Sequence, residues 1–210
     1  MHRWGYQAAD HLSDMQPEGP MRRDFSLAEA ALGDLSLIKK AALVVAGTLL
    51  IALAAQVSVP MFPVPMTLQT LAIMLVGFTL GSRLGAVTLL AYLAEGAMGL
   101  PVFASGNAGL PYMMGPTGGF LLGFVAMAWI AGLASDRGWT GSLIATIAVA
   151  LVASAVIYIP GLAWPAAMLG TDAASLWTHW MSPFLIGDAL KSVIAALVVT
   201  GAFAAMKRTR

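Results

Sequence analysis

Cysteine is absent from the 210 residues, which excludes disulfides, thiolate metal sites and a thiol nucleophile. Charge is scarce as well, at 10% of residues against roughly 25% in a soluble domain. The three histidines, His2, His11 and His179, are scattered without metal-ligand spacing, so no metal site is expected. A net charge of +1 offers no polybasic surface for nucleic acid. No phosphate-binding G-x-x-x-x-G-K-[ST] loop, G-x-S-x-G elbow, H-E-x-x-H helix or paired intramembrane aspartates occur. Neither ATP hydrolysis by this chain nor any catalytic residue or cofactor is expected.

Apolar residues are plentiful: 59% of the chain, with a mean hydropathy of +0.83. That composition belongs to a membrane protein. Apolar runs interrupted by Gly/Pro clusters and charges predict spans at about 41–59, 67–81, 84–99, 118–134, 141–159 and 183–205. A full crossing takes about 20 residues, so the second and third are short. The stretches 60–66, 100–119 and 160–183 are rich in Pro and Gly and read as loops or re-entrant segments. Gly77/Gly81, Gly81/Gly85, Gly119/Gly123 and Ala42/Ala46 are small-residue pairs at helical spacing that let helices approach closely. No internal repeat is visible, so an inverted-repeat transporter plan has no support.

Lys39 and Lys40 precede the first span, Arg83 and Arg137 fall between spans two and three and between four and five, and Lys207, Arg208 and Arg210 follow the last. With both termini inside, all of them lie on the cytoplasmic side and the outer loops hold no Lys or Arg. The expected architecture is an all-α bundle of six transmembrane helices, N-in and C-in. Residues 1–40 form a polar extension, either a flexible tail or a segment with a short amphipathic helix over Ser26–Ile38. Residues 41–206 form the membrane domain, and 207–210 a basic cytoplasmic tail.

This orientation gathers the unusual residues at the outer face. Asp188 and Lys191, three apart in "PFLIGDALKSVIAAL", share one face in the outer half of span six. Charges inside a span are costly and mark function by default. The alternative is an ion pair that merely fixes helix packing, although desolvation cancels most of its stabilising value. Glu95 near the end of span three reads equally as a solvated helix end. Asn107 in "ASGNAGLP" is compatible with ordinary turn chemistry, and the aromatics of 160–183 with an interfacial belt. "GPTGGFLLGF" at 115–124 lacks the lysine of a phosphate loop, and close packing explains its glycines better.

"PVPMTLQTLAIMLVGFTLGSRLGAVTLLAYLAEGAMGLPVF", "GPTGGFLLGF" and "IGDALK", in that order, resemble the BioY family over about residues 41–206. That resemblance implies a biotin-specific S component of an energy-coupling factor (ECF) transporter in the bacterial cytoplasmic (inner) membrane, surrounded by lipid. Such a protein captures biotin from outside and docks on a transmembrane T component and a pair of ATP-binding-cassette ATPases. It implies a substrate site of Asp188, Lys191, Asn107, Gln69, Phe103, Tyr112, Phe120 and Glu95, with the Asn107 loop closing over the ligand. Ala42 and Ala46 resemble the docking motif of S components, though plain helix-forming alanine is the competing reading. The chemistry agrees: a ureido ring has two N–H donors and one carbonyl, which a carboxylate and an ammonium complement through charge-assisted bonds. A stand-alone ion- or proton-coupled carrier, with Asp188, Lys191 and Glu95 as a relay, is the alternative of a different class.

Overall fold

The computed structural model describes residues 26–32 and 35–208. Most of the polar extension, and the last two residues of the basic tail, lie outside the described residues. Helix α1, Leu27–Leu32, opens with a reciprocal cap: Glu29 N–H donates to Ser26 Oγ, and Ser26 N–H donates to Glu29 Oε2, both at 3.3 Å. The amphipathic segment expected over 26–38 is therefore α1 followed by the first residues of the next helix. That helix, α2, runs Leu37–Gln56 from an N-cap at Ser36, four residues earlier than the apolar run suggests. Only Gly47, Thr48, Ile51 and Ala55 of α2 are buried. They make one stripe, flanked by half-buried Leu43, Ala52 and Ala54, and most of the remaining helix faces outward.

Of the stretch 60–66, expected as a loop or re-entrant segment, residues 60–65 are the tip of a small hairpin. Strand β1, Ser58–Val59, pairs antiparallel with β2, Met66–Thr67. Helix α3, Gln69–Ala97, follows and contains a break at Gly81, whose φ of 80° and ψ of 174° are not helical. A residue with a Cβ would be strained there, so glycine is what allows the break. The two arms fold back on each other. Gln69 Nε2 donates to the hydroxyl of Tyr92 at 2.6 Å, a contact between residues twenty-three positions apart. A straight helix would separate them by about 35 Å. Gly77 and Gly85 meet across the hairpin: a Cβ on Gly85 would lie 3.2 Å from the Gly77 Cα. Asp136 closes the turn, accepting hydrogen bonds from the backbone N–H (3.0 Å) and the hydroxyl of Ser82. An acidic cap at the start of the second arm also suits the helix dipole.

Helix α4, Gly109–Met113, is a short piece of the 100–117 connection. Helix α5, Gly118–Asp136, packs against α3. Helices α6, Leu143–Val156, and α7, Tyr158–Leu169, form one long broken stretch. The expectation of loop or re-entrant chain over 160–183 is corrected here: α7, α8 (Ala173–Ser175) and a wide π-type segment (Leu176–Met181) lead directly into α9, Ser182–Arg208. Pro160 sits in the first turn of α7, where its missing N–H would have no helical acceptor in any case.

Among the described residues, five helical stretches are long and apolar enough to cross a membrane. Large apolar side chains such as Leu49, Leu53, Ile144, Ile159 and Ile186 point outward, consistent with a lipid surround. In lipid, burial of apolar surface does not drive helices together, so close packing must do so. The small residues supply it. Gly77 lies against the Ala128 backbone, Gly119 against Pro160 and Trp164, and Gly123 against Ile157. Gly118 and Gly119 of "GPTGG" are thus packing residues where α5 meets Trp164 of α7.

Candidate functional site

Helix α9 places Asp188 and Lys191 one turn apart on its inward face. Lys191 Nζ stands 2.9 Å from Asp188 Oδ1, with both side chains less than a tenth exposed. Each partner is held from another element. Tyr158 of α7 donates its hydroxyl to Asp188 Oδ2 at 2.5 Å, and Lys191 donates to the Thr67 carbonyl of β2 at 3.3 Å. The pair is not saturated. A carboxylate has about four lone-pair sites and an ammonium three donors. In this structure two lone pairs and two donors are used.

The unused capacity faces a cavity of about 590 Å³, counted to its open mouth. Its walls are mainly apolar: Val64 and Met66 from the β hairpin, Phe120 and Phe124 from α5, Phe184 from α9. The Phe120 ring meets the Tyr158 ring edge-on at 5.9 Å. Polar groups are few: Asp188, Lys191, Tyr158, Thr67, Gln69, Thr70, Tyr112 and Thr117. An apolar slot with a few convergent polar groups is the general form of a specific ligand site.

Of the residues expected at the site, Asp188, Lys191, Gln69, Tyr112 and Phe120 line this cavity together. Phe103 stands one layer behind, fully buried, stacked on Tyr112 at 5.4 Å and edge-on to Tyr92 at 5.6 Å. Asn107 and Glu95 do not line the cavity. Asn107 shapes the loop instead: its Nδ2 donates to the Ala104 carbonyl at 2.8 Å, and its own carbonyl accepts from Phe103 N–H at 3.0 Å. That loop is tied down by Tyr92, which donates to the Val102 carbonyl at 2.8 Å, and by Gln56, which donates to the Phe103 carbonyl at 3.1 Å. Tyr112 lies in the connection outside the long helices, and burial pushes its phenol above the ordinary value. It is a neutral donor at physiological pH.

Ala42 and Ala46 are exposed on α2, well away from the cavity lining. Sequence reasoning missed Tyr158, Thr67 and Thr70. Tyr158 did carry a signal, as the one tyrosine within the long apolar run 141–159. Of the expected aromatic belt, Trp177 is exposed. Trp180 is buried, and Trp164 packs inward, donating Nε1–H to the Gly115 carbonyl at 3.0 Å.

The chain is similar to known proteins in both sequence and fold. A sequence model of the BioY family matches residues 21–208. The biotin transporter BioY of Rhodobacter capsulatus is 40% identical over 161 residues, covering 71% of this chain and 85% of that protein. The probable biotin transporter BioY of Pyrococcus horikoshii is 36% identical over 160 residues, covering 76% of this chain and 93% of that protein. Among solved structures, the crystal structure at 2.1 Å of the S-component for biotin from an ECF-type ABC transporter superposes with a TM-score of 0.71. It is 25% identical, and the match covers 80% of this chain and 93% of the other.

Proposed function

The chain belongs to the BioY family, and we propose that it captures biotin at the Asp188–Lys191 cavity as the substrate-specific subunit of an ECF-type transporter. The observation that carries this reading is the buried ion pair with hydrogen-bonding capacity left over on the wall of an apolar slot. A pair that only stabilised the fold would be a poor use of two desolvated charges. A ureido carbonyl takes the free ammonium donor, and a ureido N–H takes a free lone pair of the carboxylate. The thioether ring and aliphatic chain pack against Phe120, Phe124 and Phe184. Biotin is cargo here, and no cofactor is called for.

The membrane arrangement we propose is six crossings with both termini in the cytoplasm. The break at Gly81 supports the count, since it divides α3 into two antiparallel arms. The charge pattern supports the orientation: Lys40, Arg83 and Asp136 border one space at the end remote from the ligand cavity, and basic residues favour the cytoplasmic side. The ligand cavity then opens outward. Energy for uptake comes from partner ATPases through a T component, with exposed Ala42 and Ala46 on α2 as its contact.

Uptake of labelled biotin in a biotin-transport-deficient host, with and without a coexpressed coupling module, tests the assignment. Module-dependent accumulation that stops on ATP depletion and survives an uncoupler is the expected result. Accumulation that collapses with the uncoupler and survives ATP depletion would instead establish an ion-coupled carrier.

A further inference from the structure

A second cavity lies between α5 and α6 and shares no lining residue with the first. It measures about 530 Å³, counted to its open side. Ile130, Leu133 and Ala134 of α5 form one wall, and Ala148, Val149 and Val152 of α6 the other. Spacings of three and four residues put each set on one face of its helix. Ala148 is exposed and Val152 is 55% exposed, so the groove opens on the outer surface of the bundle, where lipid lies. From Ile130 to Arg137 it follows α5 for about 10 Å. That is roughly two thirds of the hydrocarbon depth of one leaflet, about 15 Å. A buried water needs two to four polar partners, and these aliphatic walls supply none, so hydrocarbon fills the groove.

Polar groups stand at one end only. Arg137 follows the last residue of α5, and its guanidinium lies 5.4 Å from the centre of the Trp139 ring. Gly138 between them has a φ of 71°, which turns the chain directly after α5 and lets the two side chains meet. Contact with an aromatic ring uses none of the five N–H donors of a guanidinium. Among the described residues no carboxylate pairs with Arg137. The adjacent Asp136 is committed to Ser82, and no acidic residue lines the groove. The other large space at this end differs: Lys40 and Arg83 share its walls with Glu29 and Asp136, so its charge is balanced. A cation after a helix C-terminus also suits the dipole, but that role requires neither a groove nor a tryptophan.

We propose that this groove binds one anionic glycerophospholipid, from the leaflet that is cytoplasmic in the orientation given above. One acyl chain lies along the groove, and the phosphate accepts hydrogen bonds from the Arg137 guanidinium, whose planar fork matches two phosphate oxygens. Trp139 holds that guanidinium at headgroup level, the depth at which tryptophan is favoured. Basic pockets between transmembrane helices on the cytoplasmic side are suited to anionic headgroups. The site stands apart from the biotin cavity and does not depend on what that cavity binds.

The test is native mass spectrometry of the full chain, delipidated in detergent, with added phosphatidylglycerol or phosphatidylcholine of the same acyl chains. Wild type, R137Q and A148F are compared, each with its melting temperature and a biotin titration. Wild type should retain one phosphatidylglycerol per chain, more firmly than phosphatidylcholine. R137Q should retain phosphatidylglycerol roughly 5-fold less, the effect of one basic residue near a membrane surface, and phosphatidylcholine as wild type does. A148F puts a ring into the groove from an exposed position and should weaken both lipids; V152F serves the same purpose if A148F shows no cooperative melt. Biotin affinity should be unchanged, since none of these residues lines that cavity. Equal retention of the two lipids by wild type, or of phosphatidylglycerol by wild type and R137Q, would overturn the proposal. So would displacement of the lipid by inorganic phosphate, or full retention with the groove filled, since either describes a surface anion contact. A loss of biotin affinity and of cooperative melting in R137Q would give Arg137 a structural role instead.

Discussion

Asp188→Asn separates a binding role for the ion pair from a structural one. The substitution keeps the side chain's shape and one carbonyl oxygen. With Lys191 Nζ 2.9 Å from Oδ1 and Tyr158 donating to Oδ2, the amide must turn its oxygen to the ammonium and its NH₂ to the phenol, which can then accept. Folding therefore survives. Removing one partner of a buried pair is destabilising by about 3–5 kcal/mol, but here Lys191 retains the Thr67 carbonyl and an amide oxygen. The expected stability loss is about 1–3 kcal/mol, the scale of one weakened charged bond. Binding changes for a different reason: a ligand N–H then meets a neutral, already engaged amide instead of a carboxylate. One charged hydrogen bond is worth about 1.5–3 kcal/mol, so affinity should fall roughly 10- to 150-fold. Melting temperature and calorimetric affinity measured on the same preparations separate the two effects. A variant that melts well below wild type yet binds biotin with unchanged affinity would refute the binding role.

Tyr158→Phe keeps the ring against Phe120 and removes the bond to Asp188. Biotin affinity should fall less than in Asp188→Asn, while stability drops by about 1–3 kcal/mol in a denaturation series. Ala42→Trp and Ala46→Trp should reduce module-dependent uptake and leave biotin binding intact, and normal transport by both would remove α2 as the contact. Gly81→Ala should lower the melting temperature, since it forces a Cβ into a positive-φ turn beside the Asp136 carboxylate. The purified chain should show no ATPase activity through two successive chromatographic steps.

The long apolar runs were legible because lipid demands about 20 apolar residues per crossing and leaves a continuous signal. The two short runs around Gly81 were legible as separate segments for the same reason, yet their antiparallel return depends on one backbone conformation that composition does not reveal. The helices over 158–181 were hidden by Pro160, Gly161 and Pro165, which read as loop signals. Pro160 falls in a first turn, and the carbonyl that Pro165 leaves without its usual donor belongs to Gly161, whose surroundings are already close-packed against Phe120. At the site, Asp188 and Lys191 stood out because charge is conspicuous in an apolar run. Tyr158 did not, since hydroxyls are unremarkable in membrane helices. Its importance comes from convergence across the bundle: Tyr158 is thirty positions from Asp188 in sequence, and Lys191 reaches a carbonyl one hundred and twenty-four positions away.

The most direct test is calorimetric titration of the detergent-solubilised, ligand-stripped protein with biotin, alongside thiamine and riboflavin. Saturable, tight binding of biotin with one site per chain, and no heat from the other two vitamins, is the predicted result. A monodisperse, cooperatively melting sample that takes up no biotin would contradict the account at its centre.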